Sequence, residues 1–150
     1  MTDASSDAGR CRFCAVNEGD ACPFCRIIAG DAPAQWVEQW PEAVAFVPLN
    51  PCPPDPDAVH WLVVPRQHAC DAADDATGAA NAMWRAAQLV QERGVPACNI
   101  ITSLGAAATQ TVLHTHLHIV ERRPGDELQL PWPNHHDPAA PDWERRSLRR

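Results

Sequence analysis

The sequence predicts an α+β domain: one mostly antiparallel five-stranded sheet with one long and one short helix. Three observations predict it. Five short runs carry strand patterning, each bounded by Pro, Gly or Asp. Only one long window sustains helical periodicity. The last strand-like run alternates histidine with Thr, Leu and Ile over His114–Ile119, a period of two that puts its imidazoles on one face.

In chain order, residues 1–21 read as a flexible N-terminal segment, Ser/Asp/Ala/Gly-rich at its start. That segment contains Cys11-Arg-Phe-Cys14, and Cys22-Pro-Phe-Cys25 follows it. Each pair can chelate one metal ion from a single turn and leaves two ligands to come from elsewhere. Two arrangements stay open on spacing alone: a Cys₄ knuckle of Cys11, Cys14, Cys22 and Cys25, or Cys22 and Cys25 with two distant histidines. Arg26–Pro33 reads as the short helix, broken by Gly30 and Pro33. Trp36–Gln39 and Ala43–Val47 read as strands around the turn Trp40-Pro-Glu42.

Leu49–Asp57 holds Pro51, Pro53, Pro54 and Pro56, through which no strand ladder can run. Val59–Pro65 is a buried strand followed by Arg66-Gln-His68, and Asp71–Asp75 is an acidic cap. Gly78–Arg93 is the long helix, with Ala79, Met83, Trp84, Ala87 and Val90 as its buried stripe and Gly94 and Pro96 ending it. Asn99–Ser103 is the fourth strand, and a Gly105–Thr109 loop leads into the fifth, Thr111–Val120. The domain is expected to span 22–133, with Leu128, Leu130 and Trp132 near its end and a flexible tail at 134–150 carrying solvated His135 and His136. Cys52, Cys70 and Cys98 stand alone in sequence and read as small buried or half-buried thiols.

Composition excludes several functions. The formal charge is −7 and the 12 basic residues are all Arg, so non-specific nucleic-acid binding has no basic surface to support it. No apolar run reaches ~18 residues, so no membrane span is expected. The polar start at Met1–Arg10 shows no export signal. A cytoplasmic location follows as the default, where seven Cys with two Cys-x-x-Cys pairs favour metal ligation over disulfides.

On a strand, same-face neighbours lie ~6.5–7 Å apart, too far for three histidines to close on one ion. One of them can bind metal while its neighbour stays free for a substrate. A neutral imidazole is a competent nucleophile near pH 7 when its other nitrogen is held by an acceptor, and His116 is central on the face.

His114-Thr-His-Leu-His-Ile-Val120, with Gly105…Gln110-Thr-Val112 before it, resembles the histidine-triad family, and Cys22-Pro-Phe-Cys-Arg-Ile-Ile28 resembles its zinc-bearing, Hint-like branch. The resemblance runs from Cys22 to Glu121. It implies a nucleotidyl hydrolase or transferase acting on nucleoside phosphoramidates or related nucleoside 5′-phosphate derivatives. In it His116 would form a covalent nucleotidyl-histidine, while His118, His60, Gln110 and Thr111 contact phosphate or leaving group. It implies structural Zn²⁺ on Cys22, Cys25, His68 and His114, and a homodimer. Phe24, Ile27, Phe46, Leu49, Leu62 and Ser103 occupy positions matching the family's nucleotide pocket. Trp132 resembles the terminal Trp of Hint-like proteins. A Fhit-like dinucleoside polyphosphate hydrolase and a zinc-stabilised nucleotide- or protein-binding module are the alternatives. The sequence departs from the family pattern at Pro48, where an Asp usually contacts ribose, at Ser103 in place of Asn, and at Thr109 in place of a small residue.

Overall fold

A computed structural model describes residues 22–128. Cys11, Cys14, Leu130, Trp132 and the segment 134–150 lie outside the described residues. The elements run α1 (Pro23–Ala29), β1 (Gln35–Gln39), β2 (Ala43–Val47), β3 (His60–Pro65), α2 (Ala76–Arg93), β4 (Cys98–Ile101), a 3-10 turn (Ala106–Ala108) and β5 (Leu117–Glu121). The five strands form one sheet in the order β1-β2-β3-β5-β4, and every adjacent pair is antiparallel. The expected α+β architecture is the one observed.

Side-chain alternation divides the sheet into two different faces. Ala43, Ala45, Val63, Leu117 and Ile119 point one way and pack on Ala82, Ala86 and Leu89 of α2. Val44, Phe46, Leu62 and Val64 point the other way and meet Cys22 and Phe24 of α1. The register sets Leu62 opposite His118, so the histidines of β3 and β5 share the α1 face. The long helix supports the sheet from behind, and the short helix covers the chemistry.

The helix α2 begins two residues before the expected start, because the Asp75 carboxylate accepts the Gly78 N–H at 3.0 Å and caps the first turn. Its buried stripe is Ala82, Ala86 and Leu89; Met83, Trp84 and Ala87, expected inside, are exposed. Two alanines one turn apart let the helix settle close to the sheet, and Leu89 contributes roughly 1.5–3 kcal/mol by its burial. The Arg85 guanidinium lies 4.5 Å from the Trp84 ring centroid, a cation–π contact on the outer surface.

Helix α1 starts at Pro23 and not at Arg26, so the Cys-x-x-Cys pair forms its first turn. Cys22 is the cap, its sulfur 3.4 Å from the Cys25 N–H, and Pro23 supplies a preset φ where no donor is needed. Gly30, at φ +86°, ends the helix in the left-handed conformation.

The fifth strand is shorter than Thr111–Val120, since His114, Thr115 and His116 precede β5. Their backbone groups bond outside the ladder: Thr115 N–H to the Ala69 carbonyl at 2.7 Å, and the His116 carbonyl to the Thr102 hydroxyl at 2.9 Å. β4 likewise ends at Ile101, short of Ser103. Two of the isolated cysteines depart from expectation: Cys70 is buried but disulfide-bonded and not a thiol, and Cys52 is exposed, while Cys98 is half-buried as expected. No helix among the described residues is long and apolar enough to cross a membrane.

Candidate active site and metal centre

His114, His116 and His118 lie on one run of chain but end in different surroundings, and backbone carbonyls decide what each ring does. His114 is fully buried, and its Nε2 lies 2.8 Å from the Pro65 carbonyl. A carbonyl only accepts, so Nε2 carries the proton and Nδ1 keeps its lone pair. That Nδ1 faces Cys22 Sγ at 3.4 Å, Cys25 Sγ at 3.5 Å and His68 Nδ1 at 3.3 Å, while Cys25 Sγ lies 3.3 Å from His68 Nδ1. All four donor atoms lie within 4.8 Å of one another.

These separations are the edges of a metal-sized tetrahedron. With Zn–N at about 2.05 Å and Zn–S at about 2.3 Å, tetrahedral geometry requires N–N and N–S edges of about 3.3 and 3.6 Å. The donor set fits zinc in chemistry and in spacing. The His114–Pro65 bond is the outer-shell contact that typically fixes a metal-bound imidazole. Between the two arrangements left open by spacing, Cys22 and Cys25 meet two distant histidines.

His116 has the opposite tautomer. Its Nδ1 lies 2.7 Å from the His114 carbonyl, so Nδ1 carries the proton and Nε2 bears the lone pair. The His116 ring packs edge-on against Phe24 at 5.2 Å and lies 5.1 Å from the His118 ring. Phe24 also meets His114 edge-on at 6.0 Å, so one α1 side chain braces both histidines.

His60, at the start of β3, accepts the Cys52 N–H on Nδ1 at 2.8 Å. Its proton therefore sits on Nε2, which donates to His118 Nδ1 at 2.9 Å. His118 in turn carries its proton on Nε2. Burial holds the imidazoles neutral: it is the main cause lowering His114 and His118 to about 4, and it lowers His60 and His116 below the ordinary histidine value. At pH 7 His116 offers a lone pair beside an N–H donor on His118.

Both groups open onto a cleft of about 720 Å³ between α1 and the edge of the sheet. Of the expected site residues, His60, His116, His118 and Thr111 line it, as do Phe24, Ile27, Phe46, Leu49 and Leu62. Two others are elsewhere. Gln110 is buried, its amide donating to the Cys70 and Val112 carbonyls at 2.6 and 3.0 Å and its oxygen accepting the Gly105 N–H at 2.8 Å. It ties down the loop before the triad and does not line the cleft. Ser103 lies past the end of β4 and is not among the lining residues either. His60 differs in role from its expectation, since both of its nitrogens are engaged within the protein.

Sequence reasoning missed Gln35, Asn50 and Val112 on the cleft wall, and noted Pro48 only as a departure. Asn50 stands beside Leu49, and that adjacency was the one available signal. Among the described residues, no Asp, Glu, Lys or Arg lines the cleft.

The chain run leading into β5 thus turns its first histidine to a cysteine pair and its next two to an open cleft. The chain belongs to the HIT domain family, whose model matches residues 29–125. It is 33% identical over 125 residues to an uncharacterized HIT-like protein of Mycobacterium tuberculosis, covering 80% of this chain and 76% of that one. Among solved structures, it resembles a HIT family hydrolase from Legionella pneumophila at 30% identity and a TM-score of 0.62, covering 75% of this chain and 97% of that one. It also resembles a zinc-bound histidine triad family protein from Mycobacterium smegmatis at 34% identity and a TM-score of 0.60, covering 73% and 81%. The family thus includes hydrolases and a zinc-bound member.

Proposed function

We propose that this protein is a nucleotidyl hydrolase or transferase acting on nucleoside phosphoramidates or related nucleoside 5′-phosphate derivatives. The observation that carries the reading is the His116 ring: its Nδ1–H is held by the His114 carbonyl at 2.7 Å, which leaves the Nε2 lone pair at the cleft. Nε2 attacks the α-phosphorus, a P–N bond to His116 forms, and the bond to the leaving group breaks. The leaving group takes its proton from water, and the neutral His118 keeps its Nε2–H as a donor to a phosphoryl oxygen. Water or another acceptor then attacks phosphorus, the P–N(His116) bond breaks, and the imidazole is regenerated. Thr111 lines the cleft, which supports a role for its hydroxyl as a donor to a phosphoryl oxygen.

Phe24, Ile27, Phe46, Leu49 and Leu62 give the cleft an apolar wall suited to a base. Among the described residues the cleft wall offers no Arg or Lys to a polyphosphate, which favours the less highly charged substrates. Zinc on Cys22, Cys25, His68 and His114 has four protein ligands and so a structural role. It would tie α1 to the ends of β3 and of the triad run, and so hold Phe24 against His116. A homodimer with a continuous sheet belongs to the same reading.

The test is release of nucleoside monophosphate from adenosine and guanosine phosphoramidates by the zinc-loaded protein. Turnover by wild type and none by His116→Ala supports the enzyme. Zinc binding and a folded chain without turnover would favour the binding module.

A further inference from the structure

We propose that the Pro-rich loop Leu49–Asp57 is a working part of the site: the Cys52 backbone N–H sets the tautomer of His60, His60 orients His118, and Glu121 with Arg123 clasps the loop in place. The reactive role of His118 rests on the function proposed above; the tautomer chain does not.

The loop runs Leu-Asn-Pro-Cys-Pro-Pro-Asp-Pro-Asp, and from Pro51 to Pro56 only Cys52 and Asp55 carry a backbone N–H. The Cys52 N–H points at His60 Nδ1 at 2.8 Å, while the residue itself is exposed. Its backbone therefore engages the site and its thiol does not. A backbone amide can only donate, so His60 is barred from holding its proton on Nδ1. The proton moves to Nε2 and meets His118 Nδ1 at 2.9 Å, and His118 is left with one N–H, on Nε2, at the cleft. With the opposite tautomer at His60, Nε2 would be an acceptor and His118 would turn its own Nδ1–H inward, withdrawing its donor from the substrate.

The far end of the loop is fastened to the strand that bears His118. Arg123 Nη2 donates to the Asp57 carbonyl at 2.7 Å and Nη1 to the Asp55 carboxylate at 3.3 Å, while Nε pairs with Glu121 Oε1 at 2.9 Å. Glu121 Oε2 accepts the Val59 N–H at 3.0 Å, one residue before His60. Arg123 thus joins the loop to the end of β5 from outside the cleft. A flexible loop would offer the Cys52 amide only part of the time, and the clasp makes the bond persistent.

The experiment is long-range ¹⁵N–¹H correlation of the histidine rings in full-length, zinc-loaded protein, with steady-state kinetics on the same samples. The wild type should show His60 with Nδ1 pyridine-like and Nε2 pyrrole-like. Cys52→Pro removes the donor and should give a mixed or reversed His60 tautomer. Its kcat should fall about tenfold, the rate equivalent of one neutral hydrogen bond, with KM little changed. Cys52→Ala keeps the amide and should keep the wild-type tautomer. Arg123→Gln should shift the tautomer in the same direction as Cys52→Pro by a smaller amount, and it decides the matter if Cys52→Pro does not fold. An Nδ1-protonated His60 in wild type, or an unchanged tautomer in folded variants, would overturn the proposal. A correct tautomer chain in a protein without turnover would instead count against the proposed reaction.

Discussion

Acid should unfold this protein through its buried histidines. His118 has a folded value of about 4 against an ordinary 6.5, chiefly from burial and secondarily from His116 and His60. Between those pH values the unfolded chain binds a proton at His118 that the folded chain refuses. Stability is therefore fully present above about 6.5 and is lost as pH falls toward about 4. One such group contributes a slope of about 1.4 kcal/mol per pH unit, or roughly 3 kcal/mol over the window. That is a substantial share of a typical 5–15 kcal/mol domain stability. His60 and His116 shift in the same direction and steepen the fall. Urea unfolding at half-unit steps from pH 7.5 to 4.5, wild type beside His118→Gln, isolates the His118 share. The wild-type slope should exceed that of the variant by about 1.4 kcal/mol per pH unit. Equal slopes, or a wild-type stability flat across the window, would refute the reasoning.

Other expected outcomes follow from the same contacts. His68→Ala and His114→Ala should each abolish stoichiometric zinc binding measured by atomic emission, whereas Cys11→Ser with Cys14→Ser should preserve it. Leu89→Ala should lower the unfolding free energy by roughly 2–5 kcal/mol in urea titration, because Leu89 is fully buried between α2 and the sheet. Thr109 sits at φ +67° before the triad, so Thr109→Gly should relieve roughly 1 kcal/mol of strain and raise the melting temperature by a few degrees.

The parts of the site legible in the sequence were those written in short-range pattern. His116 and His118 alternate on one run, and Cys22-Pro-Phe-Cys25 is a local chelate, so their chemistry could be read before any coordinates. The pairing of His114 with His68 across the sheet came from resemblance, since spacing alone left the Cys₄ knuckle equally open. What stayed hidden was decided by distant backbone. Gln110 is held by the Cys70 carbonyl, 40 residues away. The Ala69 carbonyl draws Thr115 out of the strand pattern, and no periodicity within 111–120 encodes that. The face of α2 was misjudged because an Ala-rich helix offers several apolar stripes, and the close approach of the sheet selects the smallest. An isolated Cys52 in sequence suggests a buried or half-buried thiol, whereas its exposed position leaves the amide as the group that meets His60.

The central claim is that His116 forms a covalent bond to the nucleotide. The most direct measurement is intact-protein mass after brief, acid-quench-free denaturing arrest with an adenosine or guanosine phosphoramidate, wild type beside His116→Ala. The account predicts a nucleoside monophosphate adduct on wild type and none on the variant. An equal adduct on both, or release of nucleotide by the His116→Ala protein at the wild-type rate, would contradict it.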